Sequence, residues 1–211
     1  DSAQDGYSRV VELEAWTGSG GTGEPPATPT PTPNPSPSPT PIASPSPTPI
    51  ASPSPTPSVR TNYALAANGA SVSASSQLTP ASAAIDGSLV WALGGAWKDN
   101  SPSVYPDWLQ VSFSGSKSIN EINVFGVMDN YLSTTAPTVS TTGGTYGLTA
   151  FEVQYWTGSG WSAVPNGNVS GNNRVLRKFT FSPITTTSIR VVVFGAQDGF
   201  SRIVELEAWG G

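Results

Sequence analysis

Residues 60–211 predict an all-β sandwich, on three observations. Apolar residues alternate with polar ones over short runs, the period of a half-buried strand. Turn-forming groups separate those runs: Ser114-Gly115, Thr157 to Gly160, Asn166-Gly167 and Gly171-Asn172. No stretch carries a helical repeat of useful length. With no helix to cover a sheet, sheet packed on sheet is left as the way to bury a core.

In chain order, the first run is Leu109, Val111 and Phe113, alternating with Gln110 and Ser112. Ile122 and Val124 alternate with Asn123 and Phe125. Phe151, Val153 and Tyr155 then oppose Glu152, Gln154 and Trp156, and Val175, Arg177, Phe179 and Phe181 oppose Leu176, Lys178 and Thr180. Ile189 to Phe194 is β-branched and nearly continuous, as a strand covered on both faces would be. The last strand spans 202–209.

That last strand belongs to a stretch present twice. Ala3 to Trp16 matches Ala196 to Trp209 at 12 of 14 positions, 193 residues apart. The two exchanges, Tyr7 for Phe200 and Val10 for Ile203, keep the ring and the β-branch. A self-match at fixed spacing marks a repeat, so residues 1–18 read as the terminal strand of a preceding one. Val11, Leu13 and Ala15 give it an apolar face that needs a host sheet. The host is either the preceding copy or a neighbouring one.

Residues 19–59 read as a linker. Residues 24–58 hold fifteen prolines, and the octad Ile42 to Pro49 recurs as Ile50 to Pro57. Alternating Pro fixes φ and removes backbone donors, so extended polyproline II is expected. Fully stretched at ~3.1 Å per residue it spans roughly 100 Å. Ser and Thr packed beside Pro give it the look of an O-glycosylated stalk, with a bare spacer as the alternative.

Composition excludes several classes. The net charge of −5, with no Lys/Arg cluster, argues against nucleic acid. No apolar run approaches the ~20 residues that cross a bilayer, so no transmembrane segment is expected. There is no Cys, and about 150 residues bury a core without disulfides. The chain reads as extracellular, either secreted or at the cell surface.

One ordered series carries a resemblance. It runs Asn62 to Ala66, Ala81 to Gly87, Trp97, Asp107 to Phe113, Ile119 to Phe125, Phe151 to Tyr155, Trp161, Ile189 to Val193 and Ile203 to Trp209. Over residues 60–211 this resembles the discoidin domain, also called the coagulation factor 5/8 type C domain, and the similar bacterial galactose-type carbohydrate-binding modules. The resemblance implies an eight-stranded antiparallel jelly-roll sandwich with its first and last strands side by side and a ligand site on loops at one end. It also implies that Trp97, Trp108, Trp161 and Trp209 pack in the core or along strands.

The resemblance further implies a structural calcium ion. Asp86 and Glu205 would supply carboxylate oxygens, and Ala83, Ser88 and Val204 backbone oxygens, a donor set that suits this ion. The chain departs from the family after Ser88, where Leu89 to Gly95 is longer and more apolar than the usual turn. In the competing reading Asp86 merely caps a turn and Glu205 sits on a solvated strand face.

Sugar binding needs an aromatic plate and planar polar groups. Trp91, alone in the unusual loop, is the freest aromatic and is expected to be at least half exposed. Lys98 and Asp99 follow in the next loop, Tyr131 and Tyr146 flank a long Thr/Ser/Gly loop, and Arg202 stands at the start of the last strand. These six form the candidate ligand set. The alternative is that Leu89 to Leu93 plugs the sandwich end while Arg202 only pairs with Asp198.

Catalysis finds little footing. The chain has no His and no Cys, and no nucleophile-elbow or phosphate-loop pattern. Asn168-Val-Ser170 is an N-glycosylation pattern on an expected loop. Two functions compete. One is a non-catalytic module of a tandem-repeat extracellular protein, attaching it to glycan or cell-surface polysaccharide. The other is a structural repeat unit of a fibre, stalk or adhesin, assembled with neighbouring copies through strand pairing of residues 1–16.

Overall fold

The computed structural model describes residues 59–211; the first copy of the repeat and the Pro-rich segment lie outside the described residues. Among the described residues nine strands form, in order β1 (Thr61–Asn62), β2 (Ser71–Ala74), β3 (Trp97–Lys98), β4 (Asp107–Phe125), β5 (Leu148–Trp156), β6 (Trp161–Val169), β7 (Leu176–Ala196), β8 (Arg202–Ile203) and β9 (Glu205–Gly210). The only α-helix among the described residues is one turn, α1 (Trp91–Gly94), joined by 3-10 turns at Ala66–Asn68 and Ala81–Ile85.

All pairings are antiparallel, and β4 and β7 thread both layers of the sandwich. The first half of β4 lies between β2 and the second half of β7, which passes the ladder on to β5 and β6. The second half of β4 lies between β9 and the first half of β7, with β1 beyond β9. The first and last strands are thus neighbours, with Asn62 opposite Trp209. Core residues come from both layers: Leu109, Val111, Val153 and Ile189 from one, Ile122, Phe179, Leu206 and Ala208 from the other.

Two expected turns are bulges instead. Ser114-Gly115 lies inside β4, where register shifts between Ser112 and Lys117 as the strand bends from one layer to the other. Gly115 has φ 84°, open to glycine without penalty, so the same residue serves a bulge as well as a reversal. Asn166-Gly167 lies inside β6, beside the shift in β5–β6 pairing between Glu152 and Gln154. Thr157 to Gly160 is a true hairpin, closed by the Thr157 N–H donating to the Gly160 carbonyl at 2.9 Å. Asn168 falls on strand β6, exposed, rather than on a loop.

The tryptophans divide. Trp97 is fully buried, but Trp108, Trp161 and Trp209 sit on outward faces, only partly covered. Their registers explain it, because Trp108 stands opposite Val192 while the neighbouring Leu109 and Val191 point to the core.

Candidate functional site

The loops after Asp86, after Phe125 and after Ala196 meet at one cluster. Trp91 on α1 lies 5.5 Å from the Tyr131 ring and 5.8 Å from the Tyr146 ring, tilted at 59° and 76°. The Arg202 guanidinium sits 5.1 Å over Tyr146 and 5.4 Å from Phe200, and the Lys98 ammonium lies 3.7 Å over the other ring, Phe200. Five of the six candidate ligand residues therefore form one continuous run of rings and cations. Cation–π contact and edge-to-face packing hold it.

Trp91 is less exposed than expected. Leu89 and Trp91 pack with Tyr146 against Ala96, Phe125, Val127 and Val204, so the apolar loop half-plugs this end. Leu93 turns outward at 69% exposure and Tyr131 stands at 49%, leaving the latter as the most open ring of the cluster. On its far side Trp91 walls a cleft of about 580 Å³, lined also by Pro80, Ser82, Ala83 and Asp86.

Arg202 is 5% exposed and committed to Asp198, with two parallel bonds of 2.6 and 2.7 Å. Burial pushes the Asp198 carboxyl up, but the Arg202 fork outweighs it and holds it below the usual range. Arg202 thus orients Tyr146 and Phe200 and is not free to grip a ligand.

Asp99 leaves the ligand set. It is fully buried; one oxygen accepts from the Ser201 N–H at 2.7 Å and the other from the Ser101 N–H at 2.7 Å. It ties the end of β3 to the loop before β8. Asp99→Ala would strand both donors, and a loss of about 2–3 kcal/mol is expected in the unfolding free energy, read as a lower urea midpoint. An unchanged midpoint would mean that the tie carries no stability.

Phe200 was missing from the sequence-derived site. Its signal was present, since the repeat keeps an aromatic ring there in both copies, as Tyr7 and Phe200.

Beneath the cleft lies the candidate metal site. Asp86 does cap a turn, accepting from the Ser88 N–H at 2.7 Å. Glu205, however, is not on a solvated face: it is fully buried, and its Oε1 accepts from the Gly87 N–H at 3.2 Å. Its Oε2 is buried without a hydrogen-bond partner among the described residues. Burial, then the Asp86 and Glu207 carboxylates, raise the Glu205 carboxyl from 4.5 to about 8. An orphaned carboxylate oxygen beside a second carboxylate is what a bound cation would satisfy, so these residues fit calcium. Among the described residues no three His, Cys, Asp or Glu side chains gather, so Asp86 and Glu205 would be completed by backbone oxygens of Ala83, Ser88 and Val204.

This fold, with aromatic loops at one end and a buried carboxylate below them, defines a discoidin-like β-sandwich module. The chain belongs to the F5/8 type C domain family, which matches residues 68–206. Solved structures of similar fold include the family 32 carbohydrate-binding module of C. perfringens NanJ in complex with galactose, at 23% identity, TM-score 0.53 and coverage of 72% of this chain and 100% of that one. Chitosan-binding module 2 from a Paenibacillus sp. IK-5 chitosanase/glucanase, in complex with chitotriose, is similar at 18% identity and TM-score 0.53, covering 71% and 100%. The family 32 carbohydrate-binding module of Streptococcus pneumoniae EndoD follows at 15% identity and TM-score 0.54, covering 72% and 100%. A search of curated proteins gave no match.

Proposed function

We propose that residues 60–211 are a non-catalytic carbohydrate-binding module of an extracellular tandem-repeat protein, holding glycan at the loop end. The observation that carries this is the ring cluster: Trp91 and Tyr131 reach one another from separate loops, and Trp91 also walls the open cleft. Trp91 at the rim of a concave site, with Thr79, Ser82 and Asp86 lining it, suits the C–H face and hydroxyls of a sugar. The fold relatives crystallised with galactose and chitotriose support the same reading. Lys98 and Tyr131 offer the free polar tips, while calcium at Asp86 and Glu205 would stiffen the loop that carries Trp91. Repetition would add avidity to a weak site.

Tyr131→Ala is expected to leave stability nearly unchanged and Trp91→Ala to cost about 1–2 kcal/mol. Each should weaken sugar binding about tenfold, about 1.4 kcal/mol. Calorimetric titration with galactose and chitotriose reads this. Equal affinities in wild type and both variants would remove the site from this cluster. The duplicated strand supports the second reading, a structural unit assembled with neighbouring copies. A glycan array with no bound sugar would leave that one standing.

A further inference from the structure

The outer face of the layer formed by β2, β4, β7, β5 and β6 has no part in the loop-end site. Register places Gln110, Arg190 and Gln154 side by side across three adjacent strands. Strand spacing sets them about 4.8 Å apart, in a row about 10 Å long. Trp108 stands two residues away on β4, on one side of that row, and Trp156 two residues away on β5, on the other. Both rings and all three polar side chains are partly exposed.

The polar groups are fixed. The Arg190 Nε donates to Gln154 Oε1 at 2.6 Å, and its guanidinium lies 4.4 Å over Trp161, which meets Trp156 at 5.4 Å. That leaves the terminal guanidinium nitrogens and the Gln154 amide nitrogen with no hydrogen bond to described residues. Planar donors in fixed positions between two aromatic stations can pair with the vicinal hydroxyls of a sugar chain while the rings take its C–H faces.

We propose that this sheet face is a second glycan surface, taking an extended, neutral polysaccharide strand laid across Trp108, Arg190 and Trp156. Charge picks a neutral occupant, because Arg190 is offset by Glu152 two residues along the adjacent strand, although the chain as a whole carries −5. Shape picks a polymer, since a lone monosaccharide needs a concave site and this face is open. Chemistry disfavours a second copy of the domain: Phe194 on this face is 49% exposed, but Val192 beside it is buried, and a protein partner would also have to bury Arg190, Glu152 and the two amides.

The test uses the full chain in depletion isotherms on insoluble cellulose, chitin and β-1,3-glucan, with galactose titrated in parallel. Binding to at least one polymer is expected. Trp108→Ala and Gln154→Ala should each weaken it at least about tenfold, with galactose affinity unmoved because neither residue touches the loop end. Arg190→Ala serves where Trp108→Ala fails to fold. Three outcomes overturn the proposal: no polymer bound by wild type, polymer binding unchanged in Gln154→Ala and Arg190→Ala, or a dimer in sedimentation that those variants split. Loss of galactose binding in Trp91→Ala concerns only the loop-end site, so the two readings fail separately.

Discussion

In the presence of a chelator, raising the pH from about 5 to about 8 is expected to lower the unfolding free energy on the order of 3–4 kcal/mol, and calcium at about pH 8 to restore it. Glu205 is the cause. Its carboxyl is held at about 8 in the fold against an ordinary 4.5, first by burial and then by Asp86 and Glu207. Between those values the folded chain keeps a proton that the unfolded chain has released, so stability falls as pH rises. Below 4.5 both states are protonated and nothing is lost; above about 8 both are ionised and the full cost of a buried, half-satisfied carboxylate remains. A cation that binds the ionised form removes that cost and displaces the proton, so its affinity should climb over the same window.

Glu205→Gln should flatten the chelator profile and abolish the gain from calcium together. The measurement is thermal unfolding at several pH values with calcium and with chelator. A flat wild-type profile that calcium leaves unmoved would show that Glu205 neither holds a proton nor a metal.

How this site could be seen in the sequence, and where it could not, follows from what each residue answers to. Trp91, Tyr131 and Tyr146 could be nominated because loops at one end of a sandwich carry residues that no strand period explains, whereas Arg202 proved to lie on β8, bound to Asp198. Asp99 looked like one of them, but its partner Ser201 is 102 positions away, and nothing local reveals a buried bond across that distance. Glu205 and Glu207 alternate with Leu206 and Ala208, so the period correctly put them on one face. Whether that face is wet depends on the loop 81–88 folding over it, which is a tertiary fact.

The fold was more legible. Alternation located core strands where it was clean, since Leu109, Val111, Phe151 and Val153 are buried where the period put them. Ile189 to Phe194, expected to be covered on both faces, instead has Arg190 partly exposed and Phe194 49% exposed, because the outer face of its sheet carries no second layer. Glycine was ambiguous: Gly115 marks a bulge with the same positive φ that would mark a reversal, while at the second bulge Asn166 takes the positive φ and Gly167 is needed because a Cβ would meet the Val153 and Val164 carbonyls. The tryptophans were left open between core and strand face for a related reason. A ring as large as Trp108 or Trp161 satisfies a family position equally well on either face of a strand.

Gly210→Thr is expected to destabilise the domain by at least about 3 kcal/mol, a fall of roughly 6–12 °C in Tm for a domain of about 150 residues. Gly210 lies on β9 between β1 and β4, opposite Thr61 and close to the irregularity in β4 between Ile119 and Glu121. A Cβ there would overlap the Ser118 carbonyl oxygen and stand 3.0 Å from the Tyr63 ring. The first obstacle is backbone and cannot swing aside, so β9 or β4 would have to shift where the sheet closes. The substitution has a natural counterpart: at the offset of Gly210 the first copy of the repeat carries Thr17. The two copies agree through Trp16 and Trp209 and part at the next residue, where this domain has no room. A domain seating residues 3–17 as this one seats 196–210 would need a different backbone at the position of Ser118. Hosts of the two copies are thus expected to differ there, or the first copy to leave the sheet after Trp16. Thermal unfolding of Gly210→Thr beside Gly210→Ala measures the clearance. A Tm within about one degree of wild type in both would mean that the strand end accepts a side chain and that the copies are interchangeable.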